Sequence, residues 1–230
     1  MLEMNRITKA MVIAPHGDDE VLGAGGLIAT LAASATPVRV LFLAVDASTH
    51  YGLAGSTTLT ERLDEIDAAS EFLRFDHRVV FTGTGQLERL DAVPQRDLIE
   101  ILEKELDLFQ PDLLLLPHGD DYDQDHRACY QAGLAATRPI PCQTGKHLVR
   151  RVLTYEMPKL VWANAFRPNV YIDITEVIDR KLDSIALYKT QLRAQPHIRS
   201  LANIRALAQL RGSEIGVAYA EAFQVLRWII

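Results

Sequence analysis

The chain has 230 residues, 48% of them hydrophobic, and a formal net charge of −6. That length suits one α/β domain spanning residues 1–230, and an acidic balance without any Lys/Arg-rich run excludes a nucleic-acid backbone as the expected partner. No apolar stretch approaches the roughly 20 residues of a membrane span, and two cysteines, Cys129 and Cys142, neither in a CxxC pair, argue against a disulfide framework, exclude a structural zinc knuckle by count and read as small buried hydrophobes.

The opening MLEMNRITKA lacks the apolar core of a signal peptide, so the cytoplasm is the expected compartment. Met11 to Ala14 then reads as a buried strand, closed by Pro15, which has no N–H to continue a ladder. Directly after it come His16, Asp18, Asp19 and Glu20, and Gly23, Gly25 and Gly26 follow in an alanine-rich helix predicted over Glu20 to Ala35. Acid side chains at the carboxyl end of a parallel strand stand where open α/β sheets hold their ligands. Like-charged groups so close together are costly to hold without a cation. The glycines resemble a fragment of a phosphate loop, but the GxGxxG spacing is absent and the carboxylates would repel a pyrophosphate. A plain acidic helix start would account for the acids through the helix dipole, but not for His16.

Val38 to Val45 is a second apolar run, as a parallel sheet covered on both faces requires. It leads through Asp46 into a polar loop, Ala47 to Thr58, with His50, Tyr51, Gly52 and Gly55. Thr60 is the expected cap of a helix reaching Arg74, with Leu63 and Ile66 inward. A strand over Arg78 to Thr82, a Gly83-Thr84-Gly85 turn and a helix from Pro94 through Phe109 come next. The strand Leu113 to Leu116 ends in a second polar cluster, His118 to His126, and a helix from Arg127 to Thr137 follows. This alternation predicts a doubly wound, Rossmann-like, mostly parallel sheet.

The remainder is less regular: a connection from Pro139 to Gly145, strands at Val152 to Tyr155 and Val170 to Ile174, and an amphipathic helix from Ile174 to Leu192. Pro196 separates it from a helix over Ile198 to Arg211, stopped by Gly212, and Ala218 to Ile230 is expected as an edge strand. This part reads as an extension of helices and edge strands.

Two strands ending in His-plus-carboxylate loops point to an open site with three protein ligands, completed by one histidine from 118–126. Spacing alone does not separate the roles of Asp18 and Asp19. PHGDDE with its strand before and helix after resembles the AHPDDE motif of the LmbE/PIG-L family of zinc-dependent N-deacetylases, departing at Gly17, where the family usually has Pro. The resemblance implies one zinc per chain with His16 and Asp19 as ligands and Asp18 as general base. Asp121 to Arg127 is similar to the family's second motif, which makes His126 the third ligand and Asp125 the carboxylate supporting it. Asp123 stands where many members have a His that stabilises the oxyanion, and an ionised aspartate offers no donor. His118 or His197 is then the substitute, His118 being favoured because it follows a rigid strand.

Glu61 to Glu65 resembles the family's R-x-x-E helix, with Arg62 and Asp123 facing substrate. Lys189-Thr190-Gln191 and Tyr219 to Phe223 resemble the ending of members acting on surface polysaccharides and nucleotide sugars. The expectation is a hydrolase that removes an acyl group, by analogy acetyl, from an N-acylated amino sugar, possible as a homo-oligomer. The alternatives are a catalytically weakened metal-containing sugar-binding or assembly protein, suggested by Asp123, and a metal-dependent esterase or phosphoesterase. No GxSxG elbow or P-loop is present.

Overall fold

The computed structural model describes residues 7–49, 55–85, 87–139, 144–158 and 165–230. His50, Tyr51, Gly52 and Cys142, together with parts of the predicted 47–58 loop and 139–145 connection, lie outside the described residues. In chain order the elements are β1 (Ala10–Ala14), α1 (Asp19–Ala33), β2 (Val38–Val45), the short pair β3 (Ser48–Thr49) and β4 (Ser56–Thr57), α2 (Leu59–Leu73), β5 (Asp76–Thr82) and α3 (Gln95–Phe109). Then follow β6 (Leu113–Leu116), α4 (Gln124–Ala136), β7 (Arg151–Tyr155), β8 (Val170–Asp173), α5 (Ile178–Leu187), α6 (Leu201–Ser213) and β9 (Ala220–Trp228).

The main sheet has seven strands in the order β5-β2-β1-β6-β7-β9-β8. The first five in that order run parallel, and β9 pairs antiparallel with both β7 and β8. Alternation along the parallel strands builds a core on each face. Val12, Ala14, Val40, Phe42, Leu113 and Leu115 point into the core that also holds α1, α2, α5 and α6 residues. Met11, Ile13, Leu41, Leu43, Leu114 and Leu116 point to the other, closed by α3 and α4. Continuous apolar runs are what strands buried on both sides need.

Several boundaries differ from the sequence expectation. Thr58, not Thr60, caps α2, in a reciprocal capping box with Glu61. The predicted helix from Ile174 to Leu192 is confined to α5, and turns carry the chain from Tyr188 to Ser200. Gly212 lies inside α6 rather than ending it. A Cβ there would stand 2.7 Å from the Val217 carbonyl oxygen, so glycine permits the close return of the chain. The last strand is not an edge: β9 is inserted between β7 and β8, and β8 is the edge. An inner position is open to the polar residue Glu221 of β9 because the carboxylate is buried and satisfied.

Glu221 accepts from Gly26 N at 2.7 Å and Leu27 N at 2.8 Å, and from Lys181 Nζ at 2.6 Å. These are the amides freed where α1 breaks at Ala24 (φ −144°, ψ 15°). The glycines there serve packing: a Cβ on Gly23 would lie 2.3 Å from the Tyr155 ring. The C-terminal strand thus fixes the helix whose first turn carries the acids.

Candidate active site

β1 and β6 are parallel neighbours, yet the chain leaves β1 toward β2 on one side and reaches β6 on the other. Their carboxyl ends therefore form a topological switch point, the crevice where such sheets hold ligands. The two turns meet there. His126 Nε2 lies 3.2 Å from Asp19 Oδ2, and His16 Nδ1 lies 3.5 Å from the same oxygen. Among the described residues, ligand atoms of His16, Asp19 and His126 all lie within 4.8 Å of one another.

Each of the three is oriented from behind. His16 Nε2 bonds Asp125 Oδ2 at 2.9 Å, while the other Asp125 oxygen accepts from Leu90 N at 2.8 Å. Asp121 Oδ2 stands 3.1 Å from His126 Nδ1. Asp19 Oδ2 accepts from His16 N at 2.9 Å. Carboxylates behind ligating imidazoles fix the ring and its tautomer.

Charge in this cluster is one-sided. Burial would lower the His16 pKa, but the Asp125 and Asp19 carboxylates overcome it and push it up to about 10. Burial would likewise raise Asp19, and the two histidines hold it well below the usual carboxylate range instead. Without a cation the site takes up a proton to balance its acids. Two imidazoles and one carboxylate converging on such a place fit a divalent cation, with zinc the usual occupant of a mixed nitrogen and oxygen set.

Asp18 adjoins these ligands under tension. Its φ of 121° is rare for a residue with a Cβ, and conformations of this kind cost about 1–3 kcal/mol, persisting only where the surroundings impose them. Glu20 Oε2 accepts from Asp18 N at 3.1 Å, and the Tyr188 hydroxyl donates to Glu20 Oε1. Burial pushes Glu20 up to about 8. Burial also raises Asp18, opposed by Arg199, whose Nη1 lies 3.2 Å from Asp18 Oδ2.

These groups open into a polar cleft of about 230 Å³, whose walls include Arg62, Tyr122, Asp123, Gln191, His197 and Arg199. Arg62 is buried, donating to Glu65 at 3.0 Å, to Thr190 Oγ1 at 3.2 Å and to the Gly17 carbonyl. It braces the turn between His16 and Asp18. Thr190 N and Oγ1 donate in turn to Glu65 at 2.6 and 2.7 Å, which brings Gln191 to the cleft. Asp123 caps α4, accepting from Asp125 N at 2.9 Å. Helix α4 therefore starts earlier than the predicted Arg127, with Asp125 and His126 in its first turn.

The two candidate donors separate. His197 lines the cleft, whereas His118 is not among its lining residues and packs its ring edge-on to Phe166 at 4.9 Å. The rigid strand before His118 fixes its backbone, but the ring turns toward Phe166. Arg199 and Tyr188 were not singled out in the sequence, whereas Glu20 and Asp121 stood in the two polar clusters without an assigned role.

The family model for PIG-L, described as GlcNAc-PI de-N-acetylase, matches residues 11–137, more than half of the chain. The chain belongs to the PIG-L family. It is 25% identical over 230 residues to diacetylchitobiose deacetylase of Thermococcus kodakarensis, covering 96% of this chain and 84% of that protein. In fold it is similar to N,N'-diacetylchitobiose deacetylase from Pyrococcus horikoshii, with a TM-score of 0.71 at 22% identity over 96% of this chain and 85% of that one. It is also similar in fold to GalB, the 4-carboxy-2-hydroxymuconate hydratase of Pseudomonas putida KT2440, with a TM-score of 0.76 at 22% identity over 97% and 98% of the two chains. PIG-L architecture thus carries more than one chemistry, and function has to be argued from the site. The matched span contains His16, Asp18, Asp19, Asp125 and His126, while His197 and Arg199 lie beyond it. No helix among the described residues is long and apolar enough to cross a membrane.

Proposed function

We propose that this chain is a zinc-dependent N-deacetylase that removes an acetyl group from an N-acetylated amino sugar or its conjugate. The observation that carries the proposal is the convergence of His16, Asp19 and His126 with Asp18 on the floor of one polar cleft. The diacetylchitobiose deacetylase relative supports the substrate class.

Bound to His16, Asp19 and His126, zinc would supply Lewis acidity and lower the pKa of water to about 7. Asp18 is the general base. Arg199 engages its Oδ2, leaving Oδ1 to take the proton of the attacking water and to return it to the departing amine nitrogen. A buried carboxylate suits both transfers, because burial raises its proton affinity and Arg199 limits the rise. His197 faces the other requirement, a donor for the oxyanion. Burial, Arg199 and Arg193 lower its pKa, which favours the neutral ring. Its Nδ1 accepts from Arg199 N at 3.1 Å, which leaves the hydrogen on Nε2. A neutral imidazole with that tautomer donates to developing negative charge.

The Asp123 carboxylate has a structural task, starting the helix that bears His126. The test is release of primary amine from a panel of N-acetyl amino sugars by zinc-loaded protein. Release should disappear on chelation and return with added zinc. Failure of the zinc-loaded protein on every member of the panel would sink the proposal.

A further inference from the structure

Asp18 owes its unusual backbone to one peptide unit, the one that joins it to Gly17. With ψ at −23°, Asp18 would reach the ordinary right-handed helical region if φ alone moved from 121° to about −60°. Turning that peptide over makes this change while the Cα atoms stay in place, because ψ of the preceding residue compensates. Gly17, without a Cβ, offers little resistance to such a turn. The relaxed state is one local rotation away, so its neighbours have to forbid it.

Both polar atoms of the peptide are gripped. Gly17 O accepts from Arg62 Nη2, and Asp18 N donates to Glu20 Oε2 at 3.1 Å. A turned peptide would set its oxygen against the Glu20 carboxylate and its N–H against the guanidinium, two repulsive contacts in place of two bonds. Each grip is itself anchored. Arg62 is held by Glu65 at 3.0 Å and Thr190 at 3.2 Å. Glu20 is fully buried, and its other oxygen accepts from the hydroxyl of Tyr188, 168 residues along the chain. Tyr188 is buried at the end of α5, where its N donates to Ile185 O at 3.1 Å and its carbonyl accepts from Gln191 N and Leu192 N, each at 2.9 Å. We infer that Tyr188 is a positioning residue for the base: through Glu20 it locks the Gly17–Asp18 peptide and so aims the Asp18 carboxylate at the reacting atoms. This rests on the deacetylase proposal only for the role of Asp18. Because the Tyr188 carbonyl also holds Gln191 N, the base and the Gln191 wall of the cleft are set from one point.

Tyr188→Phe removes the hydroxyl and keeps the ring that fills the core. Amide hydrogen exchange reads the lock without any substrate. In the zinc-loaded variant the Asp18 amide should exchange about tenfold or more faster than in the parent, as loss of a hydrogen bond to a charged group implies. Val12 and Ile13 in β1, paired on both sides in the sheet, should keep their rates. Turnover should fall about tenfold with KM and metal content unchanged, because the base is misaimed while the substrate contacts stay. Asp18→Asn supplies the control for a merely structural role. If Tyr188 acts through the base, Tyr188→Phe lowers the residual turnover of Asp18→Asn by less than about twofold, whereas a general defect multiplies through both backgrounds. An Asp18 amide exchanging at the parent rate, a rise shared by Val12 and Ile13, or an equal loss of turnover in the two backgrounds overturns the positioning role. A faster Asp18 amide alone, in a chain that releases no amine from any N-acetyl sugar, keeps the lock and overturns the deacetylase proposal, so the two failures are distinct.

Discussion

Between Pro15 and Glu20 every residue but His16 is buried, while the turn after β6 leaves Asp120 and Tyr122 exposed. The first turn holds its base on a strained backbone, at φ 121°, pinned by Glu20 and Arg199. The second delivers His126 on the opening turn of an ordinary capped helix. Strain and burial give positional accuracy with no tolerance for change. A capped helix gives the same convergence with replaceable parts.

The largest effect is expected where both turns are needed at once. His16→Ala, Asp19→Ala or His126→Ala should each remove most of the bound metal, measured by elemental analysis, since one of three ligands is lost. Full occupancy in all three would refute the ligand set. Asp18→Asn should keep the metal and slow turnover by about a hundredfold or more. A normal rate in that variant would show that the strained position serves something else. His197→Ala should lower turnover on the order of a hundredfold with metal content unchanged, as loss of an oxyanion donor does. His118→Ala, behind Phe166, should do far less. The reverse ranking would return the donor role to the strand-end histidine.

The pH dependence tests the charge of the first turn alone. In the metal-free protein the raised His16 pKa contributes stability that is fully present below about 6.5 and lost as pH rises through about 10. A cation must displace that proton. Metal affinity should therefore climb by up to about tenfold per unit between those limits, read by chelator competition, and a flat profile would place the proton elsewhere. The smallest effect belongs to the second turn. Asp123→Ala should cost about 1 kcal/mol through loss of the helix cap, and Asp123→Asn almost nothing. Thermal unfolding of the metal-free forms separates them by about 2–4 °C.

Much of this was legible in the sequence because it is local. Apolar runs of strand length, Pro15 ending a strand, and His-plus-acid clusters after two of those runs mark the sheet and the switch point without long-range information. What escaped depends on contacts distant in the chain. The strand bearing Glu221 was expected at an edge, and the partners that bury this carboxylate lie about 195 residues away at Gly26 and Leu27. Arg199 meets Asp18 across 181 residues, and no spacing announces that. His118 shows a different limit: a strand fixes where a side chain begins, and packing, here against Phe166, decides where it ends. The glycines of α1 carried a phosphate-loop likeness but answer to packing, Gly23 to the Tyr155 ring and Gly26 to Ile174.

One small departure from the family motif is matched by the packing beside it. Gly17 stands where relatives of this motif usually carry proline, and a Cβ there would fall 2.9 Å from Ile66 Cδ1 and 3.0 Å from Cγ1. Ile66 is fully buried on α2, one turn from Arg62. The two positions are thus epistatic. Gly17→Pro in the present background should be strongly disfavoured, and far better tolerated once Ile66→Ala has cleared the space, so that the double variant is more stable than the sum of the singles.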